Sequence, residues 1–98
     1  MILSAKDVAK ATEVVGRGVC SSGNSATVIG TSSFQTTRPT ISAGDLRNRT
    51  MIFDADTKTA ALRGQATTIK DNMSNAMLVL FVEELTTAPS EGDVFTVI

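Results

Sequence analysis

The sequence predicts an all-β, mainly antiparallel fold: a small β-barrel or β-sandwich preceded by a short N-terminal arm or helix. Two observations carry this. Short runs rich in β-branched and aromatic residues recur about every ten to fifteen residues, separated by Gly, Pro, Asn and Asp. Thr is unusually abundant, with 14 Thr beside 9 Ser, and its branched Cβ suits a pleated sheet better than a helix. A length of 98 residues bounds the chain to one domain with a thin core. A chain of this size buries roughly 60–70% of the surface it exposes when unfolded.

The chain opens on Met1, Ile2 and Leu3, three adjacent apolar residues that need cover. They either fold back on their own sheet or add to a neighbour as a β-augmenting arm. Ser4-x-x-Asp7 resembles a capping box and predicts a short helix over residues 5–11, too short to stand alone. Residues 1–11 therefore read as the arm, and residues 12–98 as a single β-rich domain. In "TEVVGRGVC", Val15 and Val19 belong to a first strand, and Gly16 and Gly18 mark a bulge, a bend or a close backbone approach. "SSGNS" is a turn, and "ATVIG" returns as the second arm of a hairpin. The polar "TSSFQTTRPTISAGD" holds Pro39, which lacks a backbone donor. It reads as a long loop with at most a short strand near Thr40 and Ile41, and as the segment best suited to ordering by a partner.

"LRNRTMIFDA" resumes strand character, with Leu46, Met51 and Phe53 directed inward. "DADTK" turns the chain, "TAALRGQATTI" returns antiparallel, and "KDNMSN" has turn composition. "AMLVLFVEEL", residues 76–85, is the most apolar run. Its Val and Phe favour a central strand buried on both faces, and its Met, Leu and Glu leave a helix as the competing reading. "TTAPSEGD" turns once more, and "VFTVI" is the last strand.

Composition excludes several function classes. The chain has no His, so Ser–His–Asp and Cys–His catalysis are ruled out, as are His-ligated metal sites. It has no Trp or Tyr, which leaves four Phe as the only base-stacking platforms. With a net charge of −1 and scattered basic residues, no nucleic-acid partner is expected. The apolar runs fall far short of the ~20 residues of a membrane-spanning helix, and no secretory signal pattern opens the chain. Cys20 is the single cysteine, so there is no internal disulfide and no all-cysteine zinc site. Cytoplasmic synthesis fits this best. No cofactor is called for.

The remaining constellations favour structural readings. Asp54 and Asp56 in "DADT" lack the Gly and distant Glu of a calcium loop, and a β-turn explains them better. Glu83, Glu84 and Asp93 do not make a glycosidase pair in a chain without a sugar-stacking aromatic platform. "GRG" lacks the continuation of a phosphate loop. Cys20 has no His to activate it and reads as an inert small residue. Arg47, Arg49 and Arg63 form either a modest positive stripe or, preferably, part of a solvated sheet face.

"SGNSATVIG", "AGDLRNRTMIFDADTKTAALRGQATTI" and "LTTAPSEGDVFTVI" together resemble a module of virion structural proteins of tailed bacteriophages. In that module a Thr-rich hairpin precedes a Gly–Asp–x–Arg strand. The closing turn runs Ala-Pro-x-x-Gly-Asp, here Ala88 to Asp93, and leads into a last strand that carries Phe95. The resemblance covers residues 21–98, and stand-alone chains of this size look like capsid decoration, or cement, proteins. It implies a non-enzymatic homo-oligomer, a trimer by preference, that binds the major capsid protein on the exterior of the virion and bridges its subunits. The contact elements would be the arm (Met1, Ile2, Leu3) and the loop carrying Phe34, Arg38 and Ile41. A head-fibre, tail or head–tail accessory module is the alternative.

Overall fold

The computed structural model describes residues 14–36, 38, 40–74 and 78–98. The arm and helix expected over residues 1–11 lie outside the described residues. Six strands form the body: β1 (Gly16–Cys20), β2 (Val28–Thr36), β3 (Thr50–Phe53), β4 (Ala66–Ser74), β5 (Leu78–Val82) and β6 (Val94–Val97), with a 3-10 turn at Ala60–Leu62. They close into a barrel in the order β1-β2-β5-β4-β3-β6, and each neighbouring pair is antiparallel. Of the two architectures the sequence left open, the barrel is the one adopted.

The antiparallel order fixes where the long connections run. Residues 37–49 join β2 to β3 across one end of the barrel, and residues 83–93 join β5 to β6 across the other. The 3-10 turn lies at the second end, between β3 and β4. Leu46 from the first crossing and Leu62 from the 3-10 turn are fully buried, one at each end of the core. Between them pack Ile29, Met51, Phe53, Ile69, Leu80, Phe95 and Val97, each from the inward face of its strand.

β1 shows why glycine is needed in this wall. A Cβ on Gly18 would collide with the ring of Phe95, and one on Gly16 would lie 2.6 Å from Phe34 Cζ. The two rings occupy the space that side chains on β1 would take, and they stack with centroids 6.3 Å apart. Phe53 meets Phe95 edge-on at the same centroid distance. The close-approach reading of these glycines holds, and a bulge also interrupts the β1–β2 register between Val19 and Cys20.

Several expectations are corrected. Residues 31–36 are not loop but the second half of β2. Thr31 and Phe34 turn toward the interior while Ser32, Ser33 and Gln35 face water, so the polar composition reflects an outer barrel wall. No strand forms at Thr40 and Ile41. "TAALRG" holds the 3-10 turn, and its strand begins only at Ala66. Residues 70–74 of "KDNMSN" continue β4, because a bulge between Ile69 and Asp71 absorbs the extra residue. Residues 78–82 form a strand, as preferred, but not one buried on both faces. Leu80 and Val82 point inward, while Val79 and Phe81 are partly exposed on the outside. The last strand has no free edge: β6 pairs with β1 on one side and β3 on the other.

Replacing Gly18 with Val should destabilise the fold by about 2–3 kcal/mol, the cost of overpacking against a fixed ring. Urea denaturation reads this directly. Adding Phe95→Leu to the Gly18→Val chain should recover part of the loss, giving a non-additive double-mutant cycle; strictly additive effects would show that the ring and the glycine are not coupled.

Candidate functional site

Two buried polar residues organise the ends of the barrel: Asn72, which sequence reasoning did not single out, and Asp93, which it weighed only in a rejected acid pair and in the closing turn. Asp93 is fully buried at the start of β6. Its Oδ1 accepts from Thr57 Oγ1 (3.0 Å) and Thr59 N (2.6 Å), and its Oδ2 accepts from Thr59 Oγ1 (2.6 Å) and Ser90 N (2.7 Å). Thr57 Oγ1 in turn accepts from Val94 N at 2.8 Å. Gly92, with φ of +92°, makes the turn that sets Asp93 in place, a backbone conformation that favours glycine. At the other end Asn72 Oδ1 accepts from Leu46 N (2.9 Å), its Nδ2 donates to Ser42 O (3.1 Å), and its carbonyl accepts from Gly44 N (3.0 Å). Each crossing connection is thus tied down by one buried side chain. Among the described residues every buried side-chain nitrogen and oxygen has a hydrogen-bond partner.

These groups are committed to structure rather than to chemistry. Burial raises the pKa of Asp93, but the hydrogen bonds from Thr59, Ser90 and Thr57 outweigh it and hold the carboxyl below its ordinary value. Cys20 is fully buried, and burial together with the charge of Asp93 pushes its thiol up to about 12, so it is protonated and inert. No cluster of three metal-ligating side chains occurs among the described residues. Asp54 and Asp56 sit at a turn, and Asp54 takes an ion pair from Arg17 and a 2.9 Å bond from Thr96 Oγ1. Arg47 pairs with Asp71 at 3.0 Å, whereas Arg63 donates to Thr57 O, so Arg47 and Arg63 do not share one stripe.

Of the selected contact residues, the described ones, Phe34, Arg38 and Ile41, gather at one end of the barrel. Phe34 lies near the end of β2, half-buried, and its ring is largely spent on covering Gly16 and stacking on Phe95. Arg38 is half-buried beyond the strand, where its N–H donates to Thr36 Oγ1 at 3.1 Å. Ile41 is partly buried against the core. Val14, where the described chain begins, is at this same end: Gly16 pairs with Thr36, and Thr36 Oγ1 donates to Val15 O at 2.6 Å. An open groove of about 390 Å³ here is lined by Val14, Val15, Gly16 and Arg17 and by Gln35 and Thr36 of the neighbouring strand. Met1, Ile2 and Leu3 lie outside the described residues. A second, more polar depression of about 260 Å³ lies on the outer wall by Arg17, Ser33, Gln35, Asp54 and Asp56.

Comparison with known proteins gives no family model, no curated protein and no solved structure that matches the chain. The geometry therefore stands on its own.

Asp93 supplies a prediction with a definite sign. Its folded carboxyl binds a proton less readily than the unfolded one, so its stabilisation is complete above the unfolded value of 3.8 and is lost as pH falls through the lower folded value. Asp93→Asn should flatten the acid limb of the stability curve below about pH 4. Asp93→Ala, which leaves four donors unpaired, should cost at least about 3 kcal/mol at neutral pH. Urea titrations at several pH values check both.

Proposed function

We propose that this chain is a non-enzymatic virion structural protein, a capsid decoration or cement protein that binds the exterior of an assembled phage head and bridges its capsid subunits. The observation that carries the reading is that the described contact candidates share one end of the barrel with an open groove and with Val14, where the described chain begins. The segment holding Phe34, Arg38 and Ile41, the groove at Val14 and Thr36, and the point where residues 1–13 join the body all lie at one end of a closed barrel. A barrel of this kind is a stiff body that offers its surface rather than an interior.

The closing turn that carries the resemblance has a structural role of its own. Ala88 to Asp93 is the turn that buries Asp93 and delivers β6 into the gap between β1 and β3. A particle-binding protein acts by linkage: ligands that bind only the assembled shell stabilise it by mass action. Several simultaneous contacts per oligomer, a trimer by preference, multiply the affinity. In this reading the major capsid protein is the partner, the virion exterior the location, and the host cytoplasm the place of synthesis.

Co-sedimentation with expanded, mature heads of the phage that encodes the chain tests the proposal, with unexpanded shells alongside. Saturable binding to expanded heads at a stoichiometry near that of the capsid subunit is expected. Deleting residues 1–3 should weaken that binding without altering the circular dichroism spectrum. Binding of a few copies per particle would favour a fibre or head–tail role instead, and no binding would overturn the reading.

A further inference from the structure

The outer wall formed by β2, β5 and β4 departs from the rest of the surface. The registers place Val28 beside Phe81 and Phe81 beside Asp71, and in the next row Gly30 beside Val79 and Val79 beside Met73. Leu80 and Val82 alternate with these positions and point inward, so Val79 and Phe81 face out. Val28 is 38% exposed and Met73 44%, and together with Val14 they are the large apolar side chains left exposed among the described residues. Val28, Val79, Phe81 and Met73 thus form one apolar strip across three adjacent strands. Elsewhere, the outward positions of β1 and the far half of β2 carry Arg17, Ser33 and Gln35, with Val19 as the one partly exposed apolar residue among them.

We propose that this strip is a self-association surface whose occupant is a second copy of the same chain. Phe and Met are enriched at the centres of protein interfaces, and an apolar strip that holds two of the most exposed large apolar side chains, Val28 and Met73, marks such a site. The rim decides in favour of a second copy. Around the strip stand Lys70 and Arg47, which are basic, and Asp71, Glu83 and Glu84, which are acidic. Arg47 and Asp71 already pair across the exposed edge, with side chains 61% and 45% exposed. A copy presents the same mixture, so unlike charges are present on both rims. A strongly acidic or strongly basic partner would find half of this rim repulsive. With a net charge of −1 per chain, two copies also approach without long-range repulsion.

The inference gives the homo-oligomer of the proposed function a location and rests on that part of the reading. It is tested without capsids, so its failure and that of capsid binding are separable. Sedimentation equilibrium of the full chain should show concentration-dependent self-association below about 100 μM. The double substitution V28K/M73K changes two exposed side chains and leaves the core untouched, and it should raise the dissociation constant at least about tenfold with an unchanged thermal midpoint. Gln35→Lys, on the opposite part of the wall, should leave association as it is. Hydrogen exchange on the unsubstituted chain gives an independent reading: protection over residues 70–74 and 78–82 should rise with concentration. A strictly monomeric chain at several times that concentration would overturn the proposal. So would unchanged association of V28K/M73K, or an equal loss on Gln35→Lys.

Discussion

Closing six short strands in the order β1-β2-β5-β4-β3-β6 sends two connections across the ends of the barrel, and every backbone polar group those crossings bury needs a partner. This constraint governs the rest of the molecule. The chain meets it with one buried side chain at each end. Asn72 presents donor and acceptor to residues 42–46, matching an amide to a loop that offers both a carbonyl and an N–H. Asp93 faces four donors and no acceptor, so a carboxylate suits it better than an amide. Because Asp93 precedes β6, satisfying that end and inserting the closing strand are one event.

The narrow interior imposes a second requirement. Phe34, Phe53 and Phe95 form a connected aromatic group, and the β1 wall must make room for it. Gly16 and Gly18 supply that room at the cost of strand propensity, which the pairing of β1 with both β2 and β6 offsets. Closure and packing are therefore coupled: removing β6 would strip β1 and β3 of a neighbour and the core of Phe95 at once. A body so tightly cross-linked is suited to binding through its outer wall and ends, which is where the capsid-binding and self-association proposals both place contacts.

Much of the fold was legible in the sequence because alternation survives locally. Leu46, Met51 and Phe53 were expected inward and are fully buried, although Leu46 belongs to the crossing turn rather than to a strand. What escaped did so for identifiable reasons. Residues 31–36 look like loop because the outer wall of a barrel is wet, and the bulge opposite Val19 and Cys20 breaks the period that would have betrayed a strand. Asp71 and Asn72 carry turn chemistry, yet a bulge lets Asn72 point into the barrel. Asp93 offered only the Gly–Asp pair before a strand as a hint, since Thr57 and Thr59 are remote in sequence. Of the candidate contact residues, Phe34 and Ile41 were visible as apolar residues in a polar tract. Their partial role in the core was not, because it depends on glycines and neighbours in other strands.

The central claim is that β6 is an interior member of a closed barrel, and amide hydrogen exchange of Val94–Val97 tests it most directly. With strand partners on both sides, the amides of Phe95, Thr96 and Val97 should exchange only through global unfolding, within about tenfold of the slowest amides of β1 and β3, while Val94 N is held by Thr57 Oγ1 instead. Alternation of protected and rapidly exchanging amides along β6, the pattern of an edge strand, would contradict the account.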